Sequence, residues 1–206
     1  MIDNDVLERV LSAGLRTGAE FAEVFASDWR GTSVGLDDGR IEQMSSGRNR
    51  GAGIRVINGE TTGFAHTADL SEAGLIAAAL VAAEAARQGD GGTRVIALTE
   101  RATKTVSPIE VDPSGVSKSA KVELLRRVDE SARATGGAIT QVSAGYSDGR
   151  TQIVIANSDG LVARDERIRT LLRVSAVANG DTGMQTGFDS VGHTMGFELF
   201  DKVQVE

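Results

Sequence analysis

Asn58-Gly59-Glu60-Thr61 stands between two segments of strand character, residues 53–57 and 61–66, and Asn179-Gly180-Asp181-Thr182 stands between residues 169–177 and 184–190. Asn-Gly between such runs is a hairpin signal, because glycine adopts the positive φ that a tight turn needs. A second pair of turns repeats the relation. Asp38-Gly39-Arg40-Ile41 precedes the first quoted stretch by the same number of residues as Asp159-Gly160-Leu161-Val162 precedes the other. Ser27-Asp28 and Ser147-Asp148 lie at the approach to each set, one residue out of phase. Working outward, the segments 21–26, 32–36 and 41–45 complete a first antiparallel meander, and 140–146, 152–156 and 161–164 complete a second.

A helix is expected before each meander. In the first, Leu7, Val10, Leu11 and Leu15 form an apolar stripe, Asp5 can cap with Glu8 three residues on, and Gly14 and Gly18 mark the stop. In the third, residues 117–134, Val122, Leu125, Val128 and Ala132 share one face before Gly136-Gly137. Between them a second helix is expected over 71–88, opened by Asp69 and Glu72 and closed by Gly89-Asp90-Gly91-Gly92. Its middle is almost all alanine and aliphatic, which predicts a helix sandwiched between other elements. Residues 89–114 hold both prolines and no helical stripe, and read as a long connection.

Shared order and spacing predict an α+β fold of two duplicated halves, each a helix plus an antiparallel meander. The halves are about residues 1–88 and 117–206, with a linker over 89–116. The first meander is followed by a long helix, whereas after the second a helix is only about to begin near Asp201. The expectation is that a further domain is missing after it.

Composition narrows function. Aromatic residues are 4% of the chain, which disfavours stacking platforms for single-stranded nucleic acid. Acidic residues outnumber basic ones by 29 to 22, giving a net charge of −7 that repels a phosphate backbone. The nearest approach to a basic cluster is Gly47-Arg48-Asn49-Arg50, expected in a strand and turn. No cysteine is present, so neither disulfides nor thiolate metal ligands can form. The longest apolar run, residues 75–83, is shorter than the roughly 20 residues needed to span a bilayer. With no secretory pattern at Met1-Ile2-Asp3-Asn4-Asp5, the reading is a soluble, cytoplasmic chain with no nucleic-acid or membrane partner.

No self-contained catalytic site is expected. His66, near a strand end, and His193, in a glycine-bounded loop, are the only histidines, too few for a zinc site without carboxylates. Asp189, Ser190 and His193 suggest a nucleophilic triad but are too close in one loop to form the required hydrogen-bond chain. Ser143 lacks the first glycine of a nucleophile elbow, since position 141 is Gln141. Gly51-Ala52-Gly53 lacks the third glycine of a dinucleotide fingerprint and precedes a strand. Asp165-Glu166-Arg167 reads as a charged turn. Catalytic, cofactor-binding and metal residues are accordingly all assigned as none.

Ordered segments along the whole chain resemble one family. Gly18-Ala19-Glu20-Phe21-Ala22-Glu23-Val24, Leu36-Asp37-Asp38-Gly39-Arg40-Ile41-Glu42, Ser45 to Val56 and Gly63-Phe64-Ala65-His66-Thr67-Ala68-Asp69-Leu70 are similar to the opening of TldD/PmbA proteins. Val111-Asp112-Pro113, Lys121-Val122-Glu123-Leu124-Leu125, Ile155 to Gly160, Asp165-Glu166-Arg167 and Gly196-Phe197-Glu198-Leu199-Phe200 resemble the TldD branch of this family, whose older label, modulator of DNA gyrase, fits poorly with an acidic, aromatic-poor chain. Gly192-His193-Thr194-Met195-Gly196 departs from the glycine- and arginine-rich loop expected there. The resemblance implies an amino-terminal domain of a zinc metallopeptidase acting on unfolded peptides with a TldE/PmbA-like partner. It also implies that the metal is held by a His-Glu-x-x-x-His helix in a later, carboxy-terminal catalytic domain. That motif is absent from these residues, so zinc is expected in the full-length parent and not in this part, whose role would be scaffolding and peptide confinement by strand addition. The competing expectations are a free-standing interaction module of the same family and a small hydrolase using His66 or His193.

Overall fold

The computed structural model describes residues 2–87, 96–103, 108–136 and 138–203. Helix α1 (Asn4–Gly14) is followed by the strands β1 (Phe21–Asp37), β2 (Arg40–Asn58) and β3 (Thr61–Thr67), then by α2 (Glu72–Ala85) and a short strand β4 (Thr99–Arg101). After a 3-10 turn (Pro113–Gly115) come α3 (Lys118–Ala134), β5 (Ile139–Asn157), β6 (Leu161–Gly180), β7 (Gly183–His193) and a single helical turn α4 (Leu199–Lys202). The strands hydrogen-bond in the order β3-β2-β1-β5-β6-β4, with β7 also on β6. β2–β3 and β6–β7 are antiparallel, and β4 runs parallel to β6. The class is α+β.

The meanders are longer and simpler than the sequence suggests. Each expected pair of short strands proves to be one strand: 21–26 and 32–36 lie in β1, and 152–156 continues 140–146 within β5. Along β1 the buried residues are Ala22, Val24, Ala26, Val34 and Leu36, all at even positions, so the period of two is never broken. The polar residues between them lack burial, not strand geometry. The same correction applies to Asp165-Glu166-Arg167, which is not a turn but the middle of β6, where Glu166 accepts a 2.6 Å hydrogen bond from the Gln152 amide. β4 is an addition within the expected connection.

The four predicted turns all form. Asp38 and Gly39 both have positive φ, 47° and 77°, as a two-residue hairpin loop requires. Gly59 opens the β2–β3 loop at φ 55°, and Gly160 closes a three-residue loop at φ 90°. The last loop is shifted by one residue from the quoted pattern: Gly180 pairs with Gly183, so Asp181-Thr182 form its tip.

The chain forms two compact units that interleave along the sequence. The first comprises residues 1–29, 49–104 and 151–166. Its core joins Leu7, Val10 and Leu11 of α1 and the alanines of α2 to Ala22, Val24, Ile54, Val56 and Val154 of the sheet. Each buried Leu or Val contributes roughly 1.5–3 kcal/mol. α2 is less enclosed than expected, because Ala73, Ala77, Val81 and Glu84 form an exposed face, but it packs against β3 and α1. Small residues allow this approach: a Cβ at Gly63 would stand 1.9 Å from the carbonyl oxygen of Ala82. Its amino-terminal cap is Ser71, which accepts a hydrogen bond from the Gly74 N–H. In α1 the cap position falls to Asp3, not Asp5, and Glu8 instead accepts a bond from the Leu98 N–H. The expected closure of α2 at 88–92 lies outside the described residues, as does Gly137 of the α3 stop.

The second unit comprises residues 30–48, 105–150 and 167–206. Leu124, Leu125 and Val128 of α3 pack with Val34, Leu36, Tyr146 and Leu172, and Leu199 and Phe200 complete this core. Tyr146, Phe197 and Phe200 form a ring cluster with centroids 5.2–5.9 Å apart. Glu198, nearly fully buried, accepts hydrogen bonds from the main-chain N–H groups of Gly196, Val111 and Glu110 and so pins the segment entering α3 to α4.

Candidate functional site

In the first unit the helices cover one face of the sheet and leave the other open. On β1 the even positions face the core, so Glu23, Phe25, Ser27 and Trp29 project from the open face. Gly51, Gly53 and Arg55 lie on the same face of β2, and the register places Gly53 opposite His66 and Arg55 opposite Phe64 on β3. The result is a groove of about 530 Å³ walled by Phe25, Trp29, Phe64 and His66. Phe25, Trp29 and Phe64 are 46%, 40% and 60% exposed, so three of the chain's few aromatic side chains meet solvent at one place.

Glycine shapes this groove. A Cβ at Gly53 would lie 3.0 Å from the tip of the Phe64 ring, so the glycine leaves room for that ring beside β2 and a larger residue would push it outward. His66 stacks on Phe64 with centroids 6.4 Å apart. The charges at the rim are matched. Arg55 pairs with Glu23 at 2.9 Å. Asp69 is held below the usual carboxylate range by the Ser71 N–H and hydroxyl, with Arg50 a lesser influence. An apolar, charge-balanced, concave surface holds apolar side chains; it offers no nucleophile–base pair.

A second groove of about 560 Å³ lies in the second unit and includes Asp37, Ser143, Gly145, Arg173 and Phe188. The Ser143 hydroxyl and, at 3.1 Å, the Gln141 amide donate to Asp37, and these bonds, Ser143 foremost, hold its carboxyl below the usual range. Ser143 is therefore a donor to a carboxylate, with no histidine in the arrangement.

The histidines fall in separate units: His66 on β3 in the first, and His193 at the end of β7, paired with Thr170, in the second. His193 is thus on a strand and not in the expected loop. Asp189, Ser190 and His193 all lie on β7, where alternation sends Ser190 to the opposite face from the other two. The triad is excluded by geometry, for a different reason than loop crowding. Gly51-Ala52-Gly53 is strand, with Ala52 buried. Arg48 and Arg50 also lie in β2 and not in a turn. Among the described residues, no group of three or more His, Asp or Glu side chains is arranged to hold a metal, and no helix is long and apolar enough to cross a membrane.

An aromatic content of 4% averaged over the chain conceals the aromatic groove. Its signal was local: Phe25 and Trp29 at even spacing, opposite-parity to the Ala22-Val24-Ala26 core positions, and Phe64 and His66 likewise on β3.

The comparisons agree with one another. Residues 22–86 match the PmbA/TldA metallopeptidase domain 1, and residues 111–205 match the PmbA/TldA metallopeptidase central domain. A Methanothermobacter thermautotrophicus protein named metalloprotease is 30% identical over all of this chain, which covers 44% of that protein. A Haemophilus influenzae metalloprotease TldD homolog is 29% identical over 89% of the chain and 38% of its own length. The chain therefore spans less than half the length of these relatives. Among solved structures, a proposed modulator of DNA gyrase from Thermotoga maritima superposes with a TM-score of 0.76 at 17% identity, over 98% of this chain and 45% of that one. TldE from Thermococcus kodakarensis gives 0.71 at 17% identity, over 92% and 43%. The name metalloprotease implies a metal, and the described residues do not fit one. On these matches, the chain belongs to the PmbA/TldD metallopeptidase family.

Proposed function

We propose that this chain is the scaffolding and peptide-confining amino-terminal part of a TldD-like zinc metalloprotease that acts on unfolded peptides together with a TldE/PmbA-type partner. In this reading the chain does not itself cleave peptides, and the zinc ligands belong to a later part of the parent. Support comes from the family and from relatives more than twice as long as this chain. A cytoplasmic setting belongs to the same reading, in keeping with the cysteine-free composition. So does descent of residues 1–88 and 117–206 from one duplicated unit joined by 89–116. The matching orders α1-β1-β2-β3-α2 and α3-β5-β6-β7-α4 support it.

The observation that carries the confining role is the aromatic groove of Phe25, Trp29 and Phe64. Unfolded chains differ from folded ones in presenting apolar side chains along an extended backbone. A sheet face with exposed rings and matched rim charges accepts such side chains with little regard to sequence. In the full-length parent, Phe25→Ser and Phe64→Ser should raise KM for an unfolded peptide and leave kcat nearly unchanged, as loss of uniform binding does. An unchanged KM would remove the groove from substrate handling.

A further inference from the structure

Two asparagines of the chain precede glycine, in Asn58-Gly59 and Asn179-Gly180. Glycine puts no side chain beside its own amide nitrogen, so that nitrogen can reach the preceding side-chain amide. The backbone decides whether it does. In a strand the amide after an asparagine is swung away from that residue's side chain, and ring closure requires the asparagine to leave the extended conformation. The strand must open first, and the cost of opening separates the two sites.

Asn58 ends β2 opposite Thr61, and both are half-buried. Beside it the Ile57 carbonyl accepts a 3.0 Å hydrogen bond from the Glu20 N–H, and Val56 is fully buried. On β3, Gly63 sits against the main chain of α2. Opening this hairpin breaks core packing. Asn179 lies in β6 opposite Met184, and every residue from 179 to 190 is exposed. Its N–H donates at 2.8 Å to the carbonyl of Ala138, itself exposed, and its side-chain amide has no hydrogen-bond partner among the described residues. Ladder hydrogen bonds without buried side chains close this end of the hairpin, and such ends open at little cost in free energy.

We propose that Asn179 is a site of spontaneous deamidation and Asn58 is not, a property of the β6–β7 hairpin that needs no partner and is independent of the role assigned to the aromatic groove. The Gly180 nitrogen bonds to Cγ of Asn179, the Cγ–Nδ2 bond breaks, and Nδ2 leaves as ammonia with the Gly180 amide proton. Water then opens the cyclic imide at either carbonyl, leaving aspartate or isoaspartate at position 179. Both products carry a new negative charge. The isoaspartate form also lengthens the main chain by a carbon, which puts the pairing of Gly180 with Gly183 out of register.

The chain is incubated at physiological temperature and mildly alkaline pH, folded and in denaturant, and each asparagine is followed by peptide mass and isoaspartate content. In denaturant the two sites should convert at similar rates. In the folded chain Asn179 should convert roughly tenfold or more faster than Asn58, as a frayed end differs from a packed one. Gly180→Ala is a separate check, since a Cβ there meets nothing within 4 Å and the φ is not positive. It should keep the melting behaviour and suppress conversion. The isoaspartate form should lose exchange protection at the β7 amides nearest the loop, whereas Asn179→Asp, with the same charge and no extra carbon, should keep it. An Asn179 that stays an amide in the folded chain while converting in denaturant would overturn the proposal. So would equal rates at the two sites in the folded chain, or undiminished conversion in Gly180→Ala.

Discussion

The ammonium of Lys121 on α3 lies 2.6 Å from the carboxylate of Asp148 on β5, both almost fully buried, and the Tyr146 hydroxyl donates to the same carboxylate at 2.9 Å. Lys121 also stands 5.2 Å from the centre of the Tyr146 ring. Burial, then the neighbouring Asp148 charge, pushes the Tyr146 hydroxyl well above its ordinary value, so it stays a donor at any working pH. Breaking one side of this arrangement strands a charge. Lys121→Met should cost about 3–5 kcal/mol in denaturant unfolding, and the double change Lys121→Met with Asp148→Leu should recover much of that. Equal losses in both variants would show that the pair stabilises through more than mutual neutralisation.

Gly63 sets how closely α2 approaches β3. Because a Cβ would meet the Ala82 carbonyl at 1.9 Å, Gly63→Ala has no room unless the helix moves, and about 3 kcal/mol or more of stability should be lost. Gly115→Ala, with nothing within 4 Å, is the control and should fall within about 0.5 kcal/mol of the original. A small effect at Gly63 would mean that the helix is loosely seated.

Glu198 predicts a pH dependence. Its burial disfavours the charged form, but hydrogen bonds from the Val111, Gly196 and Glu110 N–H groups outweigh that and hold it below the ordinary value of 4.5. A carboxyl depressed in the folded state contributes stability that is fully present above its unfolded value and is lost as pH falls through the folded one. Unfolding free energy should therefore decline below about pH 4.5, and Glu198→Gln should flatten that decline while lowering stability at neutral pH. Parallel curves for the two proteins would assign the acid sensitivity elsewhere.

Local signals carried much of this fold. Asp38-Gly39, Gly59 and Gly160 announced their turns because positive φ restricts residue choice, and the alanine-rich α2 announced close packing, though on fewer sides than its composition suggests. Strand continuity was hidden where residues 40–50 of β2 are exposed on both faces, leaving no alternation to read. The groove was hidden differently. Phe25 and Phe64 are far apart in sequence and are brought together only by the order β3-β2-β1, which no local pattern specifies.

The most direct test uses the chain's single tryptophan, Trp29, which stands in the wall of the groove. An unfolded, tryptophan-free peptide is titrated against the chain with zinc present, reading Trp29 emission and, in parallel, peptide mass. The account predicts a saturable change in emission with the peptide left intact. Zinc-dependent cleavage by this chain, or emission indifferent to the peptide, would contradict it.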